Sequence, residues 1–347
     1  MDPVIRQPGA CLVVSRAASA IYLVLSALRL PNKQVLVPAN LCYAAIFPIL
    51  YAGYEPVFCD VDVTSGNVTY ESVAAALTPE TGAMIVPHMY GNPVGDMPEI
   101  AQICRQSGIL LIEDCASAMG AKSPGYPLGA MGDYTVYSTG YSKTLDLGYG
   151  GLLVSHDRDL SDLEARECEL PLLTVEADEN LAFFSRLYRL IRNEGGDLPI
   201  TKMIYAGLPE CCRLGFIHRL DEAKRNFILQ GLRGLDEIIK ERREALEYYA
   251  RRLSGLKKAT LYPYAPGAVP WRMNLLVGDP EVRRSLIGEC LSQKMPVSDW
   301  YPRVTPIFQS TDAFPGAERH ERQILNFPLL ISRAEKDRIC DLLLSFL

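Results

Sequence analysis

The chain alternates between short runs that are almost wholly apolar and longer stretches in which apolar residues recur every three or four positions. In the first half the short runs are QVLV (34–37), EPVFCDV (55–61), AMIVPHMY (83–90), ILLIED (109–114), YTVYST (134–139) and GLLVSH (151–156). Their length and their β-branched and aromatic content predict strands. Between them AASAIYLVLSALR, YAAIFPILYAG, YESVAAALT and MPEIAQICRQSG carry the helical period. Strands that are apolar on both sides and separated by helices predict an α/β fold, a mainly parallel central sheet with helices on both faces.

From about residue 160 to 205 the pattern becomes helical and amphipathic, as in ENLAFFSRLYRLIRNEGG. A longer helical pattern follows in GLRGLDEIIKERREALEYYARRLSGL. The segments after it, from ATLYPYAP and PWRMNLLVGD to EKDRICDLLLSFL, predict a smaller C-terminal α+β domain. The division is expected near residue 240, inside the long helix, giving a large domain 1–240 and a small one 241–347.

Composition narrows the function classes. With 347 residues, 48% hydrophobic and 22% charged, the chain is an ordinary globular protein able to bury its own core. A net charge of −6, from 35 basic and 41 acidic residues without a long basic run, argues against nucleic acid as a partner. The N-terminus MDPVIRQPGACLVV lacks the pattern of a signal peptide, and no apolar run reaches the roughly 18 residues of a membrane span, so a cytoplasmic location away from membranes is expected. Ten scattered cysteines without a C-x-x-C pair read as small buried thiols rather than disulfides or zinc ligands. Four histidines, at 88, 156, 218 and 320, lack ligand spacing, and no metal site is expected.

In parallel α/β sheets ligands bind beyond the carboxyl ends of the strands. ILLIED delivers Glu113 and Asp114 there. A carboxylate in that place either caps the next helix or holds a cofactor's ring nitrogen protonated. YTVYST ends in Ser138 and Thr139, and Lys143 follows a few residues on, ahead of Gly148, Gly150 and Gly151. Ser138 either bonds its own backbone or donates to a phosphate. Lys143 is either a solvated loop lysine or an amine that forms a Schiff base with a cofactor. In VVSRAASAIYLV small residues open a helix, whose first N–H groups make an anion site. An anion cup, a later carboxylate and a still later lysine together describe a pocket for pyridoxal phosphate.

The segments AGYEPVFCDVD, MIVPHMYGNPVGDM, LLIEDCASAMGA, GAMGDYTVYSTGYSKTLDLGYGG, GFIHRL, DWYP and ILNFPLL occur in that order. Taken together they resemble the DegT/StrS-type sugar aminotransferase family, within the fold type I (aspartate aminotransferase-like) pyridoxal phosphate enzymes. The resemblance implies pyridoxal 5'-phosphate as cofactor, Lys143 as Schiff-base lysine and proton shuttle, Asp114 as partner of the pyridine nitrogen and Ser138 as phosphate ligand. It sets Ala18 and Ser19 at the phosphate cup and Ser117 at the position of a Gln near the phenolic oxygen. Cys42, with Tyr43 adjacent, aligns with an aromatic that stacks on the ring, and Ile217 with an Asn lent to the phosphate by the partner subunit. A homodimer with its active sites at the subunit interface is implied.

The implied reaction moves an amino group from an amino-acid donor such as glutamate to a keto-sugar nucleotide or related ketone. Arg219, Arg272 and Tyr301, beside Trp300, are candidates for the substrate rim. A pyridoxal phosphate dehydratase or elimination enzyme, and a catalytically idle ligand-sensing relative, are the alternatives. Dehydration in this family goes with loss of the lysine, so the retained Lys143 favours transamination. No G-x-G-x-x-G opens the first crossover, which argues against a nicotinamide enzyme.

Overall fold

Each apolar run of the first half forms a strand. The computed structural model describes residues 11–193, 210–308 and 313–347. Within them the large sheet comprises β1 (Cys11–Val14), β2 (Gln34–Pro38), β3 (Glu55–Cys59), β4 (Thr81–Pro87), β5 (Leu110–Asp114), β6 (Tyr134–Ser138) and β7 (Gly151–Val154). Their spatial order is β1-β7-β6-β5-β4-β2-β3. β3, β2, β4, β5 and β6 run parallel, whereas β7 is antiparallel to β6 and β1 antiparallel to β7. β1 is a strand that the sequence pattern did not predict. Its four residues, CLVV, are extended because they pair with β7, from Cys11 opposite Val154 to Val14 opposite Gly151.

Strand alternation sends successive side chains to opposite faces of the sheet. Val35, Val37, Ile85 and Ile112 face the helices Ala17–Leu28 (α1) and Tyr43–Tyr51 (α2), packing on Ile21, Val24, Leu25 and Ile46. Leu36, Met84, Val86 and Leu111 face the other way, onto Val73 of α3 (Tyr70–Ala76) and onto Ile100 and Cys104 of α4 (Met97–Gln106). Each of these fully buried aliphatic side chains contributes about 1.5–3 kcal/mol of transfer free energy. That two-sided burial is why the strands read as continuous apolar runs.

The amphipathic stretch beyond residue 160 forms helices Ser161–Glu169 and Val175–Asn193, and its continuation to 205 lies outside the described residues. The long helical pattern forms a 3₁₀ turn at Leu232–Gly234 and the helix Leu235–Arg252, preceded by a separate helix at Glu222–Gly231. A three-stranded antiparallel sheet follows, formed by β8 (Ala259–Leu261), β9 (Met273–Val277) and β10 (Ile324–Phe327) in the order β10-β9-β8. The helices Leu235–Arg252, Pro280–Ser292 and Arg333–Phe346 cover it. The division expected near residue 240 falls inside Leu235–Arg252. Leu235 and Ile239 of that helix pack with the large sheet, and Ala245, Tyr248 and Tyr249 pack with the small one. Among the described residues no helix is long and apolar enough to cross a membrane. Six cysteines are buried, but Cys168 and Cys211 are exposed, which corrects the expectation of uniformly buried thiols.

Candidate active site

A cavity of about 430 Å³ opens at the carboxyl ends of β4, β5 and β6, with the start of α1 forming one wall and Trp271, Arg272, Trp300 and Tyr301 another. Lys143, Asp114, Ser138, Ser117, Ala18, Cys42, Arg272 and Tyr301 all line it, so one space gathers most of the site residues singled out by sequence.

Lys143 follows β6 on a loop with a fixed fold. The Thr139 N–H donates to the Gly150 carbonyl at 3.1 Å, and the Gly150 N–H donates to Ser15 at 2.8 Å, tying the loop to the entry of α1. Gly150 has φ of 96°, and a Cβ there would sit 2.4 Å from Thr139 Oγ1 and from Ile228 Cδ1, so only glycine fits. Lys143 Nζ donates to Ser117 Oγ at 3.2 Å and to the Tyr301 hydroxyl at 3.5 Å. No carboxylate lies within ion-pair distance among the described residues. Burial opposes protonation of this amine, but Tyr301, Cys42 and Asp114 outweigh it, and the ammonium is held above its ordinary range.

Asp114 and Glu113 end β5 and, as strand neighbours, diverge. Asp114 Oδ1 accepts the Ala116 N–H at 2.8 Å, a local turn bond, and the carboxylate also lines the cavity. Burial pushes its carboxyl up, against the Ala116 N–H and the Lys143 charge. Glu113 points to the opposite face. It accepts from His88 Nε2 at 2.8 Å and from the N–H groups of Gly129, Met131 and Gly132 at 2.6, 2.9 and 3.3 Å. Glu113 is desolvated, yet these donors, His88 foremost, hold its carboxyl below the usual range.

His88, Glu113 and Cys115 stand close enough together to suggest a metal triad. The Val94 N–H donates to His88 Nδ1 at 3.0 Å, so the ring proton is on Nε2 and is given to Glu113. Nε2 then has no lone pair for a metal, and the group is a strut beneath the cavity floor.

Ser138 Oγ accepts the Gly140 N–H at 3.2 Å, which leaves its own O–H proton to donate into the cavity. Ala17 and Ala18 line the adjacent wall, where no side chain caps α1. The N–H groups of Ala18 and Ser19, in the first helical turn, lack intrahelical acceptors by geometry. The Ser19 side chain corrects the sequence expectation. It is fully buried outside the cavity, with its hydroxyl bonded to the carbonyl of Phe216 and to Ser15, so the lining register is Arg16–Ala17–Ala18. Arg219 is the second correction. It is exposed on an isolated bridge opposite Leu172, where chain alternation turns His218 and Leu220 inward and Arg219 out.

Cys42 lines the cavity at the start of α2. The neighbouring Tyr43 ring packs among Phe184 at 5.2 Å and Tyr188 at 4.7 Å. Ile217 is buried within its own chain beside Ala18 and Phe47. Arg272 stacks on Trp271 at 4.8 Å and donates to Ser142 Oγ at 2.5 Å, while its Nε is buried without a partner among the described residues.

Two arginines at or behind the cavity were not among the sequence candidates. Arg16 lines the cavity at the N-cap of α1. Arg242, buried in Leu235–Arg252, donates to the carbonyls of Lys143 (2.8 Å), Thr144 (3.3 Å), Trp271 (2.9 Å) and Pro270 (3.4 Å). Its signal was legible: Leu235, Ile239 and Arg242 share one helical face, and a charge on an apolar stripe requires a polar partner. The cavity therefore offers an amine, a carboxylate, and an end furnished with N–H, O–H and guanidinium donors.

Comparison with known proteins bears on this arrangement. The sequence pattern of the DegT/DnrJ/EryC1/StrS aminotransferase family matches residues 7–343. The dTDP-4-dehydro-2,3,6-trideoxy-D-glucose 4-aminotransferase of Saccharopolyspora spinosa is 30% identical over 93% of this chain and 80% of its own length. GDP-perosamine synthase of Escherichia coli O157:H7 is 25% identical over 83% of this chain and 71% of its own. Among solved structures, the aminotransferase TlmJ from Streptoalloteichus hindustanus superposes with a TM-score of 0.75 at 24% identity, covering 97% of this chain and 85% of that one. Helicobacter pylori PseC, an aminotransferase involved in pseudaminic acid biosynthesis by its description, superposes with a TM-score of 0.76 at 14% identity, covering 97% and 86%. At these identities the structures establish the shared fold.

Proposed function

The chain belongs to the DegT/DnrJ/EryC1/StrS aminotransferase family, and from that premise we propose that it aminates a nucleotide-linked keto-sugar or a related ketone with glutamate as donor. The family implies pyridoxal 5'-phosphate. The observation that carries the reading is the meeting of Lys143 and Asp114 in one cavity, with the amine hydrogen-bonded to the hydroxyls of Ser117 and Tyr301.

The donor set fits the cofactor. Bound there, pyridoxal phosphate supplies an electrophilic carbonyl and an electron-withdrawing ring through which an amino group passes between substrates. Lys143 is the nucleophilic amine and the proton carrier at the reacting carbon, with Ser117 and Tyr301 fixing its Nζ. Asp114 would accept the hydrogen bond of a protonated ring nitrogen, and its raised affinity for protons suits a shared hydrogen bond in a buried site. Ser138 and the first turn of α1 meet the phosphate. Arg272, with its unpartnered Nε, anchors an anionic group of the substrate.

A homodimer that completes the cavity belongs to the proposal. Tyr141 at the cavity mouth is 82% exposed, and Val175 and Phe183 of the helix Val175–Asn193 are 78% and 59% exposed. Such apolar side chains are suited to burial against a second copy.

Purified protein is expected to be yellow, and glutamate should bleach that colour while releasing 2-oxoglutarate. Charged enzyme should then aminate a member of a keto-sugar nucleotide panel, read by mass spectrometry. Protein that takes up the cofactor but is left unchanged by glutamate, glutamine and aspartate would sink the transaminase reading.

A further inference from the structure

At the α1 end of the cavity a positive side chain occupies a place that opposes it. Arg16 is the N-cap of α1, and the helix's positive end disfavours a cation there. Its Nε is buried without a hydrogen-bond partner among the described residues. Its ion pair with Asp178 is loose, 4.0 Å to a carboxylate that is 64% exposed, and so is worth little. Arg16 is also desolvated, which lowers its affinity for its proton, with Asp178 and Tyr43 opposing the loss. Two like tendencies, the helix end and a buried unpartnered N–H, therefore converge on one point of the cavity wall.

The backbone of Arg16 is fixed. It forms a parallel bridge to Gly150, whose N–H donates to the Ser15 carbonyl at 2.8 Å. The same glycine's carbonyl accepts from Thr139, next to Ser138. Arg16 and Ser138 thus stand on one hydrogen-bonded frame, and both line the cavity that holds Lys143. Ala17 and Ala18 offer no side-chain donors, whereas Arg16 and Ser138 do.

We propose that Arg16 is a cofactor-phosphate ligand, giving a charge-assisted hydrogen bond from its guanidinium to the phosphate dianion at the start of α1. The assignment rests on the pyridoxal phosphate reading above. A dianion there offsets the helix end and satisfies the buried Nε together, and it makes Arg16 the cationic member of the cup beside neutral N–H and O–H donors.

The test compares pyridoxal phosphate with pyridoxal, which shares the reactive carbonyl and lacks the phosphate. Affinities of apo-protein for each are read by absorbance titration, without turnover. Arg16→Met is expected to weaken pyridoxal phosphate binding roughly ten- to hundredfold while leaving pyridoxal binding within about twofold. Arg16→Lys keeps stem and charge, guards against a folding failure, and is expected to recover part of the loss. A folded Met or Lys variant that keeps the wild-type ratio of the two affinities overturns the assignment and leaves the cofactor reading intact. Wild-type protein that binds neither compound overturns both. Loss of binding to both compounds alike in the variants also overturns it, because the effect is then not at the phosphate.

Discussion

Replacing Arg242 tests whether the lysine loop is held from behind. Arg242 is 7% exposed, and its guanidinium bridges the carbonyls of Lys143 and Thr144 on one side to those of Pro270 and Trp271 on the other. Burial, aided by the charge of Arg272, lowers its pKa from 12.5 to about 10. That shift corresponds to roughly 3 kcal/mol against the charged form. The two bonds shorter than 3.0 Å return about 1.5–3 kcal/mol each, and the two longer ones add little. The opposing terms nearly cancel, so Arg242→Met is expected to lower the free energy of unfolding by no more than about 3 kcal/mol. The local effect is larger, because the bond at 2.8 Å is made to the backbone of Lys143 itself. Displacement of a reacting group by about 1 Å can cost on the order of a hundredfold in rate. Urea unfolding gives the first quantity. The rate at which Lys143 is captured by pyridoxal phosphate and fixed by borohydride gives the second. Arg242→Lys, whose ammonium cannot span both pairs of carbonyls, should be slowed as well. A folded Met variant that captures the cofactor at the wild-type rate would refute the argument.

Further outcomes follow from the same geometry. Lys143→Ala should abolish borohydride fixation and reduce amino transfer by at least about a hundredfold, and fixation at another lysine would displace Lys143 from its role. His218 is desolvated and lies beside the Arg16 charge, which lowers its pKa from 6.5 to about 4. Above pH 6.5 it is neutral folded or unfolded; between 6.5 and 4 only the unfolded chain takes the proton. Stability should therefore fall across that window by up to about 3 kcal/mol, and His218→Gln should flatten the fall in a pH series of thermal melts. Glu113 has the same sign, because the pKa of its folded carboxyl is also lowered. Its carboxylate form stabilises the fold above the ordinary carboxylate range, and that contribution is lost as pH drops through its lowered folded value. Glu113→Ala leaves buried N–H groups and the His88 proton without an acceptor and should cost about 3 kcal/mol or more in urea unfolding, whereas a loss below about 1 kcal/mol would contradict the strut.

Much of this was legible in the chain because local and tertiary preferences agree. The runs around Val35–Val37, Ile85 and Ile112 are apolar on both sides and fold as interior strands. Asp114, Ser138 and Lys143 lie at or just beyond the carboxyl ends of strands, and the sheet brings them to one cavity. What escaped depends on partners distant in sequence. β1 is a strand only through its pairing with β7, and β10 only through β9. Ser19 looked like a cup residue from its place in the helix, but the carbonyls of Phe216 and His218, far along the chain, claim its hydroxyl. Arg219 failed because alternation at an isolated bridge, which leaves no mark in composition, decides which way it faces.

The helix Leu235–Arg252 carries a further consequence. Its first turns complete one core and its later turns complete the other, with Arg242 between them gripping the lysine loop. Neither half is a transferable cassette: a chain cut at residue 240 would leave Leu235 and Ile239 on a severed helix end against the large core and would part the lysine loop from its brace, Arg242. Loosening of either core would also be transmitted along a single rigid rod, so melting should register as one event rather than two.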